Sequence, residues 1–503
     1  MKCFASARSR ILALAAVVIS AVFLSTAAYT QAPPANGGRK TSDSTADRLV
    51  LEYLDVISSG APLTIQSYLT ENYDPTFFKR LPPFAHLLIH RGFYYETAGL
   101  GYKFQSIESS SKNGISALVQ NKLTDAWLSL RLPLAANPPH KINRFPEFKP
   151  ASPPPGTSSP GRLSDEKIVE KLEMCMARLV EGDDFSGAIL LARGGKPLFN
   201  KAYGLASRAD QASNRTDTKF NIASMGKMFT GVAVAQLAEQ GKLSFDDPLD
   251  KYLPAEWLNP EVSRKIKIKH LLTHTSGLGD YFVKLRGQPK GVVFRSLEDY
   301  RPLVADESLS FEPGTRWSYS NTGMLLAGVV IEQATGESYF DYVRNHIYKP
   351  AGMTNTDAYD KDGPEPNKAT GYIKIYTDKG VDWMSSTGER VMKGMPSGGS
   401  FSTVEDLLRF DIALRNHKLL SPEYTGIVLS TKPEISSPFY GYGFNISECD
   451  AGRIAEHGGD GTGIQSSFRM YLDSGYTVAV LANRSTPAAS IVDNVIHQLM
   501  ISR

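Results

Sequence analysis

Strand-like alternation clusters in two distant places of the C-terminal two thirds of this chain. Ser186–Ala192 and Pro197–Gly204 form a hairpin pattern around an Arg-Gly-Gly-Lys turn. Phe439–Ile446, Arg453–His457, Gln465–Leu472 and Tyr476–Ala482 read as successive strands, and Ile491–Ile501 as a closing helix. Between them, residues 243–395 are mostly helical and irregular. Two short strand sets cannot each bury a face alone. The economical fold is therefore one antiparallel sheet built from both ends, flanked by helices and carrying a mainly helical insertion. The expected fold class is α/β of the α+β type.

The rest of the chain divides by composition. At 503 residues two or three domains are expected. Lys2, Arg8 and Arg10 precede an apolar run, Ile11–Ala28, which reads as a signal peptide over 1–28 and an exported, periplasmic or secreted, protein. A membrane is expected as a partner only if that segment is uncleaved. Residues 29–45 are Pro/Gly/Ser-rich and expected to be disordered. Residues 46–148 show three helical patterns, Ala46–Ser59, Leu63–Leu69 and Phe84–Thr97, before the period changes to two. The strands expected there are Tyr102–Ser106, Ile115–Leu123, Ala126–Leu134 and Lys141–Phe145, a small α+β domain. The Pro-rich stretch 149–162 is a semi-rigid linker, leaving 163–503 as the second domain, opened by a helix Ser164–Glu181. A net charge of +3 argues against nucleic acid as a partner. Cys175 and Cys449 are too distant in sequence to establish a disulfide.

Chemistry concentrates in three stretches. In the first, Ser224 and Lys227 stand three apart at the head of an apolar helical pattern that stops at Gly241. A hydroxyl beside an ammonium in apolar surroundings is one form of activated nucleophile. The same spacing recurs at Ser109–Lys112, in a polar turn, and at Ser164–Lys167, where Ser164 reads as a helix N-cap. Ser224 alone lies between an apolar approach and an apolar helix.

In the second stretch, Phe311–Gly323, Tyr319 and Asn321 follow the Pro313-Gly314 turn one residue apart, a spacing that can aim both into one cleft. The third is His457-Gly458-Gly459-Asp460, at the end of a strand, where glycines admit a substrate backbone and free N–H groups can bind an oxyanion.

Together these motifs resemble the serine β-lactamase and penicillin-binding protein superfamily, its class C branch above all. His270–Leu278, Pro350–Thr354 and Gly398–Phe410 share the likeness, which covers roughly 165–500. Residues 46–148 are similar in element order to nuclear transport factor 2-like domains. The resemblance implies a serine hydrolase that needs no cofactor and no metal. Ser224 would form the acyl-enzyme, with Lys227 beside it and Tyr319 carrying the proton. A neutral Lys227 as base competes with a Tyr319 phenolate, which needs a pKa about three units below its usual ~10. Asn321 would bond Lys227 and substrate; His457, Gly458 and Gly459 would bind substrate; the Ser224 and Asp460 N–H groups would form the oxyanion hole.

One departure stands out. The family's third motif usually carries Lys-Thr-Gly or Lys-Ser-Gly, whereas His457 is mostly neutral at pH 7. That favours an esterase or D-amino-acid peptidase over a β-lactamase or D,D-carboxypeptidase. The substrate expected is a small-molecule ester, a peptide or a cell-wall-derived group. A penicillin-type sensor that does not turn over is the non-catalytic alternative. A metalloenzyme is a further rival, because His270 and His274 are four apart, but Leu271 stands where a His-Glu-x-x-His protease has its base.

Overall fold

The computed structural model describes residues 45–501, apart from 80–82, 158–160, 290, 361–362, 378–379, 387–392 and 486. The expected signal peptide and nearly all of the segment 29–45 lie outside the described residues. The chain forms two compact units, one of residues up to Asp183 with 378–380 and 494–503, the other of 184–377 and 381–493. The Pro-rich segment 149–162 lies within the first.

In the first unit, helices α1 (Thr45–Ser59), α2 (Pro62–Asn72) and α3 (Pro83–Glu96) precede four strands. These are β1 (Tyr102–Ser111), β2 (Gly114–Asn121), β3 (Trp127–Pro133) and β4 (Glu147–Pro150), an antiparallel meander in sequence order. Strict alternation along β2 buries Ile115, Ala117 and Val119 against Val50, Tyr53 and Ile57 of α1. The fourth strand is not the expected Lys141–Phe145. Ile142 makes only isolated bridges, to Tyr73 and Leu134, and Pro146 lacks a donor, so the ladder resumes after it. Helix α4 (Asp165–Glu181) is capped by Ser164, whose side chain accepts the Lys167 N–H.

The second unit is built on a six-stranded sheet. Its strands are β5 (Gly187–Arg193), β6 (Lys196–Tyr203), β7 (Asn445–Cys449), β8 (Gly452–Gly461), β9 (Ile464–Tyr471) and β10 (Tyr476–Ala482). The spatial order is β7-β8-β9-β10-β5-β6, antiparallel throughout, so the two sequence-distant strand sets close one sheet through β10 and β5. Gly194 and Gly195, at φ of 56° and 77°, make the primed turn that joins β5 to β6. Phe439–Phe444, expected as strand, is instead a turn-rich loop, and β7 begins at Asn445.

Three helices pack in the core of this unit. In α5 (Gly226–Glu239) every residue from Gly226 to Ala238 is buried, so the expected apolar stripe is a helix covered on all sides. The first three turns of α6 (Asn321–Thr335) are buried likewise, while α7 (Val404–Arg415) is amphipathic. Helix α8 (Ala488–Ile501) closes the chain.

Candidate active site

Ser224 does not lie on α5. It occupies a single 3-10 turn, Ala223–Met225, that leads into the helix. Two neighbouring segments fix that turn. Phe220–Asn221 pairs with Phe401–Ser402; the Ile222 N–H donates to the Ser400 carbonyl (2.9 Å) and the Gly399 N–H to the Ala223 carbonyl (2.9 Å). On the other side, Ser466 Oγ donates to the Ile222 carbonyl at 2.8 Å. Ala223 is held at a φ of 45°, a left-handed conformation that costs a non-glycine residue about 1 kcal/mol or more. Strain of this kind persists only where the surroundings enforce it.

Glycines allow the enforcement. A Cβ on Gly459 would lie 2.4 Å from the Ile222 carbonyl oxygen, and one on Gly398 2.3 Å from that of Ala223. Gly459 therefore supports the nucleophile turn through contact with its backbone, while Gly458 beside it is exposed.

Lys227 is fully buried. Its Nζ lies 3.1 Å from Ser224 Oγ and donates to the Ser397 carbonyl. The ammonium also sits 4.8 Å from the centre of the Tyr319 ring, a cation–π contact. Burial pulls its pKa down to about 7, with Asp280 pulling back. Tyr319 moves the opposite way from the shift a phenolate base needs. Although Tyr319 is 36% exposed, desolvation of its hydroxyl within the site raises its pKa, and its hydrogen bond with Ser224 opposes this only in part. The three residues are thus brought together as the sequence implies, but the group poised near neutrality is the lysine.

Tyr319 and Asn321 separate after the loop. Ser320 caps α6 and Asn321 is its first residue. Its Nδ2 donates to Asp280 Oδ2 at 2.9 Å, and the expected bond to Lys227 is not among those formed. Asn321 Oδ1 is buried and has no hydrogen-bond partner among the described residues.

His457 is nearly as buried as Lys227. Its Nδ1 stands 2.6 Å from the Gly458 carbonyl and its Nε2 2.9 Å from the Tyr440 hydroxyl. A carbonyl only accepts, so Nδ1 carries the proton and Nε2 accepts from Tyr440. Burial first, then the charge of Lys227, push its pKa down to about 3. This imidazole is neutral and has both nitrogens engaged, so it offers no cation to a substrate carboxylate. The β7–β8 ladder ends at Asn445–Glu456, whereas β8 pairs with β9 as far as Gly461. Among the described residues, 457–461 consequently have a strand partner on one side only, and Asp460 is one of them. The Asp460 carboxylate accepts from Gln465 Nε2 at 3.0 Å.

Several neighbours were not connected to Ser224 by the sequence reading. His274 lies beneath Tyr319, ring centres 4.3 Å apart, and beside Tyr440 at 4.7 Å. It accepts the Ser320 N–H at Nδ1 (3.2 Å), so the tyrosine loop and Tyr440, which bonds His457, meet on one buried ring. The helix Ile268–Leu272 ends before His274, which has a φ of 61°, so His270 and His274 share no helical face. His270 instead accepts the Lys267 N–H. Among the described residues no group of three or more His, Cys, Asp or Glu converges as a metal site. Cys175 and Cys449 are both free. His274 was marked by its spacing from His270 and by the His270–Leu278 likeness, which stops two residues short of Asp280.

The Beta-lactamase family model matches residues 173–499, and the chain belongs to that family of serine hydrolases. Penicillin-binding protein 4* of Bacillus subtilis is 31% identical over 329 residues, 62% of this chain and 71% of the relative. The crystal structure of a penicillin-binding protein from Bacillus halodurans superposes with a TM-score of 0.57 at 32% identity, covering 67% of this chain and 100% of that one. A D-stereospecific amidohydrolase from Streptomyces sp. gives 0.53 at 26% identity, covering 63% and 94%.

Proposed function

We propose that this protein is an exported serine hydrolase that cleaves an ester or amide through an acyl-enzyme on Ser224. The observation that carries the reading is the fully buried Lys227, with Nζ 3.1 Å from Ser224 Oγ and a pKa of about 7. A lysine poised there is neutral often enough to take the serine proton as Oγ attacks the acyl carbon. The proton taken up by Lys227 then passes to the leaving group by way of Tyr319, which is hydrogen-bonded to Ser224 and has its ring against the same ammonium. The Ser224 and Asp460 N–H groups would receive the oxyanion, and the open side of 457–461 would take the substrate backbone. Water releases the acyl group in a second pass through the same groups.

The neutral, doubly engaged His457 favours substrates without a carboxylate at the third motif, such as small esters, peptide amides or capped cell-wall fragments. A second reading, acylation by penicillin without turnover, draws on the names of the relatives. The apolar run 11–28 supports export.

Turnover of nitrophenyl acyl esters by the native chain and by Ser224→Ala tests the proposal. A loss of at least about 10³-fold is expected; equal rates would sink it. Intact-mass measurement after penicillin exposure separates the readings, since a lasting adduct with no ester turnover favours the second.

A further inference from the structure

We propose that Asp280 is a positioning residue of the Ser224 site: its carboxylate fixes which way the Asn321 amide faces and supplies the counter-charge for Lys227. The inference rests on the hydrolase reading above and adds a residue to it.

The geometry of the first role is explicit. A carboxylate only accepts, so the Asn321 amide must turn its NH2 toward Asp280 Oδ2, 2.9 Å away. The carbonyl end, Oδ1, is thereby turned elsewhere, buried and without a partner among the described residues. Leaving such an acceptor unpaired costs about 1–3 kcal/mol, so the site maintains it against a local penalty. Asp280 is itself held, because the Phe282 N–H donates to its Oδ1 at 3.0 Å. Two more bonds stitch its loop to the head of α6: Tyr281 N–H to Thr322 Oγ1 (3.0 Å) and Ser320 Oγ to the Gly279 carbonyl (2.6 Å). Asn321 thus keeps a fixed, buried acceptor at the head of α6, two residues from Tyr319.

The second role follows from which charges Lys227 meets. From the 3-10 turn before its helix it faces Ser224; from the loop before α6, the Tyr319 ring; from the 395–402 segment, the Ser397 carbonyl. His274 and, from β8, His457 lie within reach of its charge, and burial keeps both neutral. Asp280, bonded to Asn321 two residues from the Tyr319 ring that Lys227 touches, is the carboxylate that attracts Lys227 and opposes the effect of burial. Asp280 is also felt by Tyr281, Tyr319 and Glu307, all of which its charge disfavours ionising. A negative charge here therefore stabilises the lysine's proton while discouraging a phenolate.

The test uses the rate at which a fluorophosphonate labels Ser224 in the full chain, followed by intact mass as a function of pH. Labelling needs a reactive serine and no knowledge of the substrate. In the native chain the rate should rise with pH through about 7 as Lys227 loses its proton. In Asp280→Asn the midpoint should move about one pH unit lower, because the charge that held the proton is gone. Asp280→Glu should return the midpoint toward that of the native chain. Asn321→Ala keeps the charge, so its midpoint should stay while its plateau rate falls about tenfold. A midpoint in Asp280→Asn that is unmoved or higher overturns the proposal, as does an equal downward move in Asn321→Ala. Absence of labelling in the native chain would strike the hydrolase reading itself, and the Asp280 role with it; labelling with an unmoved midpoint strikes the Asp280 role alone.

Discussion

His90, in the first unit, and His457, in the second, are buried in the same way and serve different ends. His90 has Nδ1 2.7 Å from the His86 carbonyl and Nε2 2.8 Å from the Tyr73 hydroxyl. His457 repeats the pattern with the Gly458 carbonyl and the Tyr440 hydroxyl. Burial drives both below their ordinary pKa, to about 4 and about 3. What differs is the company. His90 is packed among the rings of Tyr53, Tyr73, Phe93 and Phe145. His457 feels the charge of Lys227, which in turn touches Ser224. A histidine sharing a tyrosine and a carbonyl is thus a stable way to bury an imidazole. Reactivity enters with the lysine.

The largest effect expected from that difference is at Lys227 itself. Lys227→Met should lower kcat/KM for an acyl ester by about 10³-fold, the scale of losing a general base. Stability should hold or rise, because a buried cation is replaced by an apolar side chain of similar length. Substituting His90→Leu should leave ester turnover unchanged per folded molecule and lower the thermal midpoint. Thermal unfolding beside steady-state rates for both variants checks the contrast; a Lys227→Met chain that keeps its rate would erase it.

The shared feature has its own consequence. For a histidine whose folded pKa lies below the unfolded value, the unfolded chain takes up a proton first as pH falls. Above about 6.5 both states are neutral and nothing is lost. Between there and the folded pKa, stability falls with pH, and below it the loss is complete. For His90, with a folded value of about 4, that amounts to about 3 kcal/mol. Denaturant titrations of the full chain between pH 7 and pH 4 should show the decline, and His90→Gln should flatten part of it. A chain equally stable at pH 4 and pH 7 would contradict the neutral burial of both histidines.

How much of this was legible in the sequence follows from the range over which each feature is encoded. The sheet was legible because period-two runs at both ends had no other way to cover their faces; β10 and β5 pair as that demands. Ser224 and Lys227 were legible as a spacing, although the serine stands on a 3-10 turn and not on the helix. Tyr319 was legible as part of a motif, but the direction of its pKa was not. That direction depends on desolvation of its hydroxyl and on Asp280, a residue from a loop about forty positions upstream. His274 and Tyr440 could not be placed because their role is contact between loops. The strand expected at Lys141–Phe145 failed because Ile142 finds only isolated bridges, and the fourth strand starts after Pro146.

The smallest expected effect sharpens the reading of His457's own strand. Gly458 and Gly459 are adjacent and look interchangeable, yet the sheet turns them to opposite faces. A Cβ on Gly459 would meet the Ile222 carbonyl oxygen at 2.4 Å and Ser466 Oγ at 2.6 Å. Gly459→Ala must therefore push on the backbone of the nucleophile turn, costing about 1–3 kcal/mol and at least about tenfold in kcat. A Cβ on Gly458 meets nothing nearer than the Ser466 carbonyl oxygen at 3.5 Å. Gly458→Ala should stay within about 0.5 kcal/mol of the native chain. Any effect it has should appear in KM, because its exposed face borders the strand side left open for substrate. Measuring kcat and KM separately for the two variants, with thermal midpoints beside them, decides the matter. If Gly458→Ala lost kcat while Gly459→Ala kept it, Gly459 would not be what holds Ile222 and Ala223 in their strained turn.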